Sequence, residues 1–178
     1  MTPTLQMDVL YLTATGHVLA IFTRASEPAN PEADGSAFLG EGFHIRGFGN
    51  AKQLASFQNQ EFIIPANQIS LARVTNNPSQ AISPWQQQLT QPPSGGPLVT
   101  GLGKAPTSFK YETGMFTITP APACSYTIEV YGPIPGSVPL LPNTTLSNQS
   151  NITLISNSSY FAIAFVSGCQ IAVHAFTA

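Results

Sequence analysis

The chain has 178 residues, six basic and eight acidic side chains, a net charge of −2, and 8% charged beside 43% hydrophobic residues. This length suits one good-sized domain or two small ones, and the composition excludes a disordered chain, which combines low hydrophobicity with high net charge. Globular proteins usually carry about 25% charge, so Ser, Thr, Asn and Gln must build this surface, with little repulsion between copies.

In chain order, residues 8–13 and 17–24 read as a hairpin, with β-branched and aromatic residues on either side of a turn containing Gly16. Residues 26–35, polar and holding Pro28 and Pro31, read as a surface loop. Residues 38–48 alternate but are broken by Gly40, Gly42 and Gly47, the pattern of a weaker strand with a bulge or close backbone approach. Residues 51–60 read as a short helix or a loop. Strands follow at 61–64 and 68–74, with Pro65, Ala66 and Asn67 as the turn between them.

Residues 75–103 have a different texture: no charge, five prolines, and a glutamine run at Gln86, Gln87 and Gln88. Proline lacks the ladder donor, so this stretch is expected to be a long Pro/Gln-rich loop and not a sheet. Strand patterns resume at 114–119, 125–131, 151–155, 159–166 and 169–176, and the last two flank Ser167 and Gly168, a connection suited to a tight hairpin. Short strands without intervening helices define an all-β class, an antiparallel β-sandwich or barrel-like set of sheets. The parts are an N-terminal β-rich part (1–75), a Pro/Gln/Gly-rich loop or linker (76–109) and a C-terminal sandwich-like part (110–178). The first and last hairpins align weakly when Gly16 is set on Gly168, too briefly to establish a duplication.

The residues that carry chemistry are few. His17, His44 and His174 lie at no metal-ligand spacing and have no Cys or Glu motif beside them, so no metal or cofactor is expected. Cys124 and Cys169 stand at strand starts, and the default is two reduced thiols. No nucleophile elbow is present, and Asp8, Glu41 and Glu61 read as surface charges, not as a catalytic pair. Residues 95–104 fail as a phosphate loop, because Leu98 stands where glycine is required and Ala105 where Ser or Thr is. The acceptor patterns at Asn143, Asn148, Asn151 and Asn157 follow from a Ser/Thr/Asn-rich composition. Glu129 shares a strand face with Thr127 and Tyr131, and that face is expected to be solvated or at an interface.

These observations favour a non-enzymatic protein. The six cations, Arg24, Arg46, Lys52, Arg73, Lys104 and Lys110, are scattered among acids, so no stripe follows a nucleic-acid backbone. No basic segment precedes an apolar run at the start, and residues 160–166 are too short to span a bilayer, so cytoplasmic synthesis without membrane insertion is expected. The last 49 residues carry no charge. Such a surface enters an interface without desolvating ions, which points to a structural or assembly subunit of a larger particle (virion, phage or phage-tail-like), in a homo- or hetero-oligomer. The alternative is a carbohydrate-binding or adhesin-like module. Trp85, in the proline-rich segment, with Tyr131 and Tyr160 taken as exposed, would be the partner-binding residues of either reading.

Overall fold

The plan of the molecule follows from residues 160–166, which are apolar at every position and not at alternate ones. A strand of that kind needs cover on both faces. The computed structural model describes residues 6–24, 40–46, 61–74, 83–133 and 153–178, and among these the chain is nearly all β. β1 (Gln6–Leu12) lies between β2 (Val18–Arg24) and β5 (Ile69–Val74), and β3 (Gly42–Arg46) pairs with β4 (Glu61–Pro65). β6 (Gln87–Thr90) pairs with β7 (Leu98–Gly101), and β8 (Ser108–Glu112) with β9 (Met115–Thr119). β11 (Ser159–Val166) is the middle strand between β10 (Tyr126–Tyr131) and β12 (Ala172–Thr177). Each of these pairings is antiparallel.

Alternation along β11 sends its two faces into different cores. Phe161, Ile163 and Phe165, with Tyr131 of β10, meet Leu10, Leu12, Leu19, Phe62, Ile64 and Ile69 of the N-terminal strands. Tyr160, Ala162, Ala164 and Val166, with Ile128 and Val130, meet Phe109, Phe116 and Ile118 of the β8–β9 hairpin. The β2-β1-β5 sheet is clothed twice in the same way, since Met7, Val9, Val18 and Val74 pack with Val99 of β7. The layers therefore run β6–β7, then β2-β1-β5, then β10-β11-β12, then β8–β9. The N-terminal and C-terminal parts share one core.

Two expectations are corrected here. The stretch expected as a loop holds a two-stranded sheet, because the prolines among its described residues sit outside the strands. Pro84 opens a 3-10 turn (Pro84–Gln86), Pro92, Pro93 and Pro97 occupy the hairpin connection, and Gln87–Thr90 and Leu98–Gly101 are proline-free. β8 likewise starts at Ser108, within the supposed linker. The strand expected at 151–155 is absent where it is described, since residues 153–155 are irregular, with the Ile155 N–H donating to the Tyr160 hydroxyl at 2.9 Å. The expectation for residues 51–60 falls outside the described residues, as do the loop at 26–35 and the acceptor patterns at Asn143, Asn148 and Asn151.

The hairpin at Ser167 and Gly168 forms as expected, with the Cys169 N–H donating to the Val166 carbonyl at 2.9 Å. The turn expected at Pro65 to Asn67 is a 3-10 turn (Ala66–Gln68), and it passes the chain from β4 in one sheet to β5 in another.

Candidate functional site

The three aromatic residues singled out as partner contacts are not an exposed platform. Tyr131 is 0% and Tyr160 1% exposed, because both belong to strands covered on both faces. Tyr131 meets Phe62 edge-on at 4.9 Å between ring centres, and Tyr160 stacks on Phe176 at 5.7 Å. Trp85 is half-buried, folds back onto the larger core and tilts against Phe43 at 6.2 Å. Its position in the 3-10 turn before β6 makes it a pin for that segment. The two tyrosines are thus corrected from exposed to core.

The face carrying Glu129, expected to be solvated or at an interface, is also interior. Glu129 is 0% exposed, opposite Ile163 in the β10–β11 ladder. Neither carboxylate oxygen has a well-formed hydrogen bond, and the same holds for Gln68 Nε2 and the Tyr131 hydroxyl nearby; the Gln68 amide is close enough only for a weak pull on the carboxylate. Burial raises the Glu129 pKa to about 7, against a smaller opposing pull from the Gln68 side chain. Burial, then the Glu129 charge, pushes Tyr131 upward. The interlayer therefore holds a carboxyl that favours its neutral form.

His17 is also 0% exposed, yet it is fully bonded. Its Nε2–H donates to the Cys169 carbonyl at 2.9 Å, which leaves Nδ1 to accept from the Thr15 hydroxyl at 2.9 Å. Burial lowers its pKa to about 4, opposed by the Cys169 hydrogen bond. Around it the first and last hairpin turns are tied together. Gly16, at φ +78°, accepts from the Leu89 N–H at 2.7 Å, and a Cβ there would lie 2.6 Å from the Leu89 carbonyl oxygen. The Gly168 N–H donates to Gln88 Oε1 at 2.9 Å. This is a structural knot, with an imidazole held in its neutral form.

The acids weighed as a catalytic pair are dispersed. Asp8 is 2% exposed, a correction to its reading as a surface charge, and its Oδ1 accepts from Arg73 Nε at 3.2 Å across the β1–β5 ladder. Glu41 and Glu61 instead flank His44, at 3.3 Å from Nε2 and 3.0 Å from Nδ1, on the exposed side of the β3–β4 hairpin. No group of three or more His, Cys, Asp or Glu side chains among the described residues is arranged to hold a metal ion. His174 is half-buried in an aromatic row, stacked on Phe176 at 5.5 Å and edge-on to Phe109 at 6.1 Å. Its pKa is lowered by burial and by Lys110, and Glu112 opposes.

The feature that stands out is the outer edge of β12. Every residue of β10, the opposite edge of the sheet, is buried, whereas Ala172 to Phe176 of β12 are half-buried and Thr177 is exposed. The Ala178 N–H donates to the Ser158 carbonyl at 3.1 Å, in line with the Tyr160↔Phe176 and Ala162↔His174 register. In an antiparallel ladder that phase turns the backbone groups of Val173, Ala175 and Thr177 away from β11. Among the described residues no strand pairs with that edge. It carries no proline and no charge, two of the devices that normally blunt an edge. Sequence reading missed it because strand order is not written in a strand's own residues.

These features define an all-β protein built of stacked antiparallel sheets around a charge-poor middle layer. No family model matches the chain, and neither does any curated protein or solved structure. Among the described residues no helix is long and apolar enough to cross a membrane.

Proposed function

We propose that the protein is a non-enzymatic assembly subunit of a larger protein particle, and that it joins other subunits by accepting a strand on the outer edge of β12. The observation that carries this reading is the edge itself: unpaired among the described residues, uncharged, and free of proline. Backbone donors and acceptors in such a row supply affinity to any extended segment, and half-exposed side chains on both faces supply selectivity. The low overall charge supports it too, since copies approach with little repulsion. The charge-free C-terminal stretch serves the molecule's own interior first; β12 is what it leaves for a neighbour.

The test is light scattering on size-fractionated protein, for the wild type and for Ala175→Pro and Thr177→Pro. Each substitution deletes one outward N–H and leaves the β11–β12 ladder its donors. Oligomers in the wild type that dissociate in both variants, with unchanged circular dichroism, are expected. A wild type that stays a soluble monomer at micromolar concentration overturns self-assembly through this edge.

A further inference from the structure

A groove of about 370 Å³ lies beside the last hairpin turn, and both cysteines of the chain line it. Pro120, Pro122 and Val166 line it too, and Lys104 is the one charged residue among its lining. We propose that Cys124 and Cys169 are a dithiol site that closes to an intramolecular disulfide across this groove when it meets a small-molecule disulfide such as oxidised glutathione.

The placement follows from the ladder. Tyr126 faces Val166, and the Ser167 N–H donates to the Ser125 carbonyl at 3.0 Å, which carries the β10–β11 register one step further. The next step sets Cys124 across from Gly168, the neighbour of Cys169. Facing residues in an antiparallel ladder lie about 4.5–5.5 Å apart between Cα atoms, which sets Cys124 beside the turn, and the shared groove brings the Cys169 side chain to the same side of it. Gly168 has no side chain to stand between the sulfurs. The Cys124 thiol already reaches over this turn and donates to the Ser167 carbonyl at 3.3 Å.

The two thiols differ in a way that gives the reaction an order. Cys124 is exposed and Cys169 half-buried, with its backbone N–H donating to Val166, its carbonyl accepting from His17, and a bridge to Gly103 holding the turn. The Cys124 thiolate attacks one sulfur of the small disulfide, forming a mixed disulfide and expelling the first small thiolate. The Cys169 thiolate then attacks the Cys124 sulfur, forming the Cys124–Cys169 bond and expelling the second. Two protein thiols are oxidised, one small disulfide is reduced to two thiols, and the two protons lost by the protein are taken up by the leaving thiolates. Lys104 places a positive charge near these anions. This inference stands apart from the assembly reading.

The experiment treats the reduced full chain with oxidised glutathione, then alkylates, measures the intact mass and maps the peptides. Expected are the loss of two hydrogens from the monomer mass, no free thiol, a Cys124–Cys169 peptide, and a melting midpoint raised by about 10 °C that a reductant reverses. Cys169→Ser, in contrast, stops at the glutathione adduct on Cys124. A wild-type protein that also stops at that adduct, with Cys169 still open to alkylation, overturns the proposal. So does a product made only of intermolecular dimers.

Discussion

The knot around His17 and the interlayer space around Glu129 pose the same problem and resolve it differently. Each holds one ionisable side chain with no exposed surface inside charge-poor β layers. At His17, its own turn brings the Thr15 hydroxyl and the distant last turn brings the Cys169 carbonyl to the two ring nitrogens, and nothing is left unpaired on the imidazole. At Glu129, a carboxyl, an amide and a phenol lie close together without a well-formed hydrogen bond on Glu129 Oε1 or Oε2, Gln68 Nε2 or the Tyr131 hydroxyl. Burial favours the neutral form of both groups in the folded state, which means easier proton loss for the imidazole and longer proton retention for the carboxyl. The contrast shows that turns, with backbone carbonyls to spare, satisfy a buried polar group more readily than the middle of a sheet whose backbone is committed to its ladder.

The largest expected effect removes the satisfied member. His17→Ala loses two buried hydrogen bonds and leaves a cavity against Phe165, whose ring meets the imidazole edge-on at 5.3 Å; destabilisation of about 3–4 kcal/mol is expected in urea unfolding. A loss under about 1 kcal/mol would show that the knot does not hold the two hairpin turns together.

Glu129→Gln should act in the opposite direction and only on one side of a pH window. The folded-state pKa is raised from 4.5 to about 7, so the unfolded chain loses this proton first, and stability falls as pH rises from about 4.5 to about 7. For His17 the folded pKa is lowered from 6.5 to about 4, so its contribution is complete above about 6.5 and is lost as pH falls toward about 4. Between about 4.5 and 6.5 the two slopes cancel in the wild type. Glu129→Gln is expected to stabilise by about 2 kcal/mol at pH 8, to be near neutral at pH 4.5, and to unmask the rising His17 slope between about pH 4.5 and 6.5. Chemical denaturation across that range is the measurement, and a flat difference between variant and wild type would sink the assignment.

The smallest expected effect concerns Trp85. Half-buried against Phe43, it should cost about 1–2 kcal/mol on truncation to Ala, read as a lowered thermal midpoint. Glycan binding that disappears with Trp85→Ala at unchanged stability would instead make this residue a contact and not a pin.

The class of fold and most of its strands were legible because β-branched runs and turn residues are local signals. The hairpin around Gly16 and the one at Ser167 and Gly168 needed nothing more. Layering was not local. The alternation of Thr127, Glu129 and Tyr131 against Tyr126, Ile128 and Val130 was read correctly, but which faces are covered depends on the partner strand. The signal lay in that partner: residues 160–166 show no alternation, so both faces are covered at β11, a cover that β10 shares fully and β12 only in part. The strands between the prolines of residues 83–101 were hidden for another reason. Composition averaged over the whole stretch masked two proline-free runs of four residues each.

The position of β11 also has a consequence for how the molecule is made. β1, β2 and β5 leave the ribosome with Leu10, Leu12, Leu19 and Ile69 packed against Ile45, Phe62 and Ile64 of β3 and β4, and the residues that complete their cover, Phe161, Ile163 and Phe165, come only after the chain has run on from Val74 to Ser159. The nascent N-terminal sheet therefore waits with an apolar face turned to water, dependent on contacts distant in sequence that form late and slowly. Late closure of the core is built into the order of the strands.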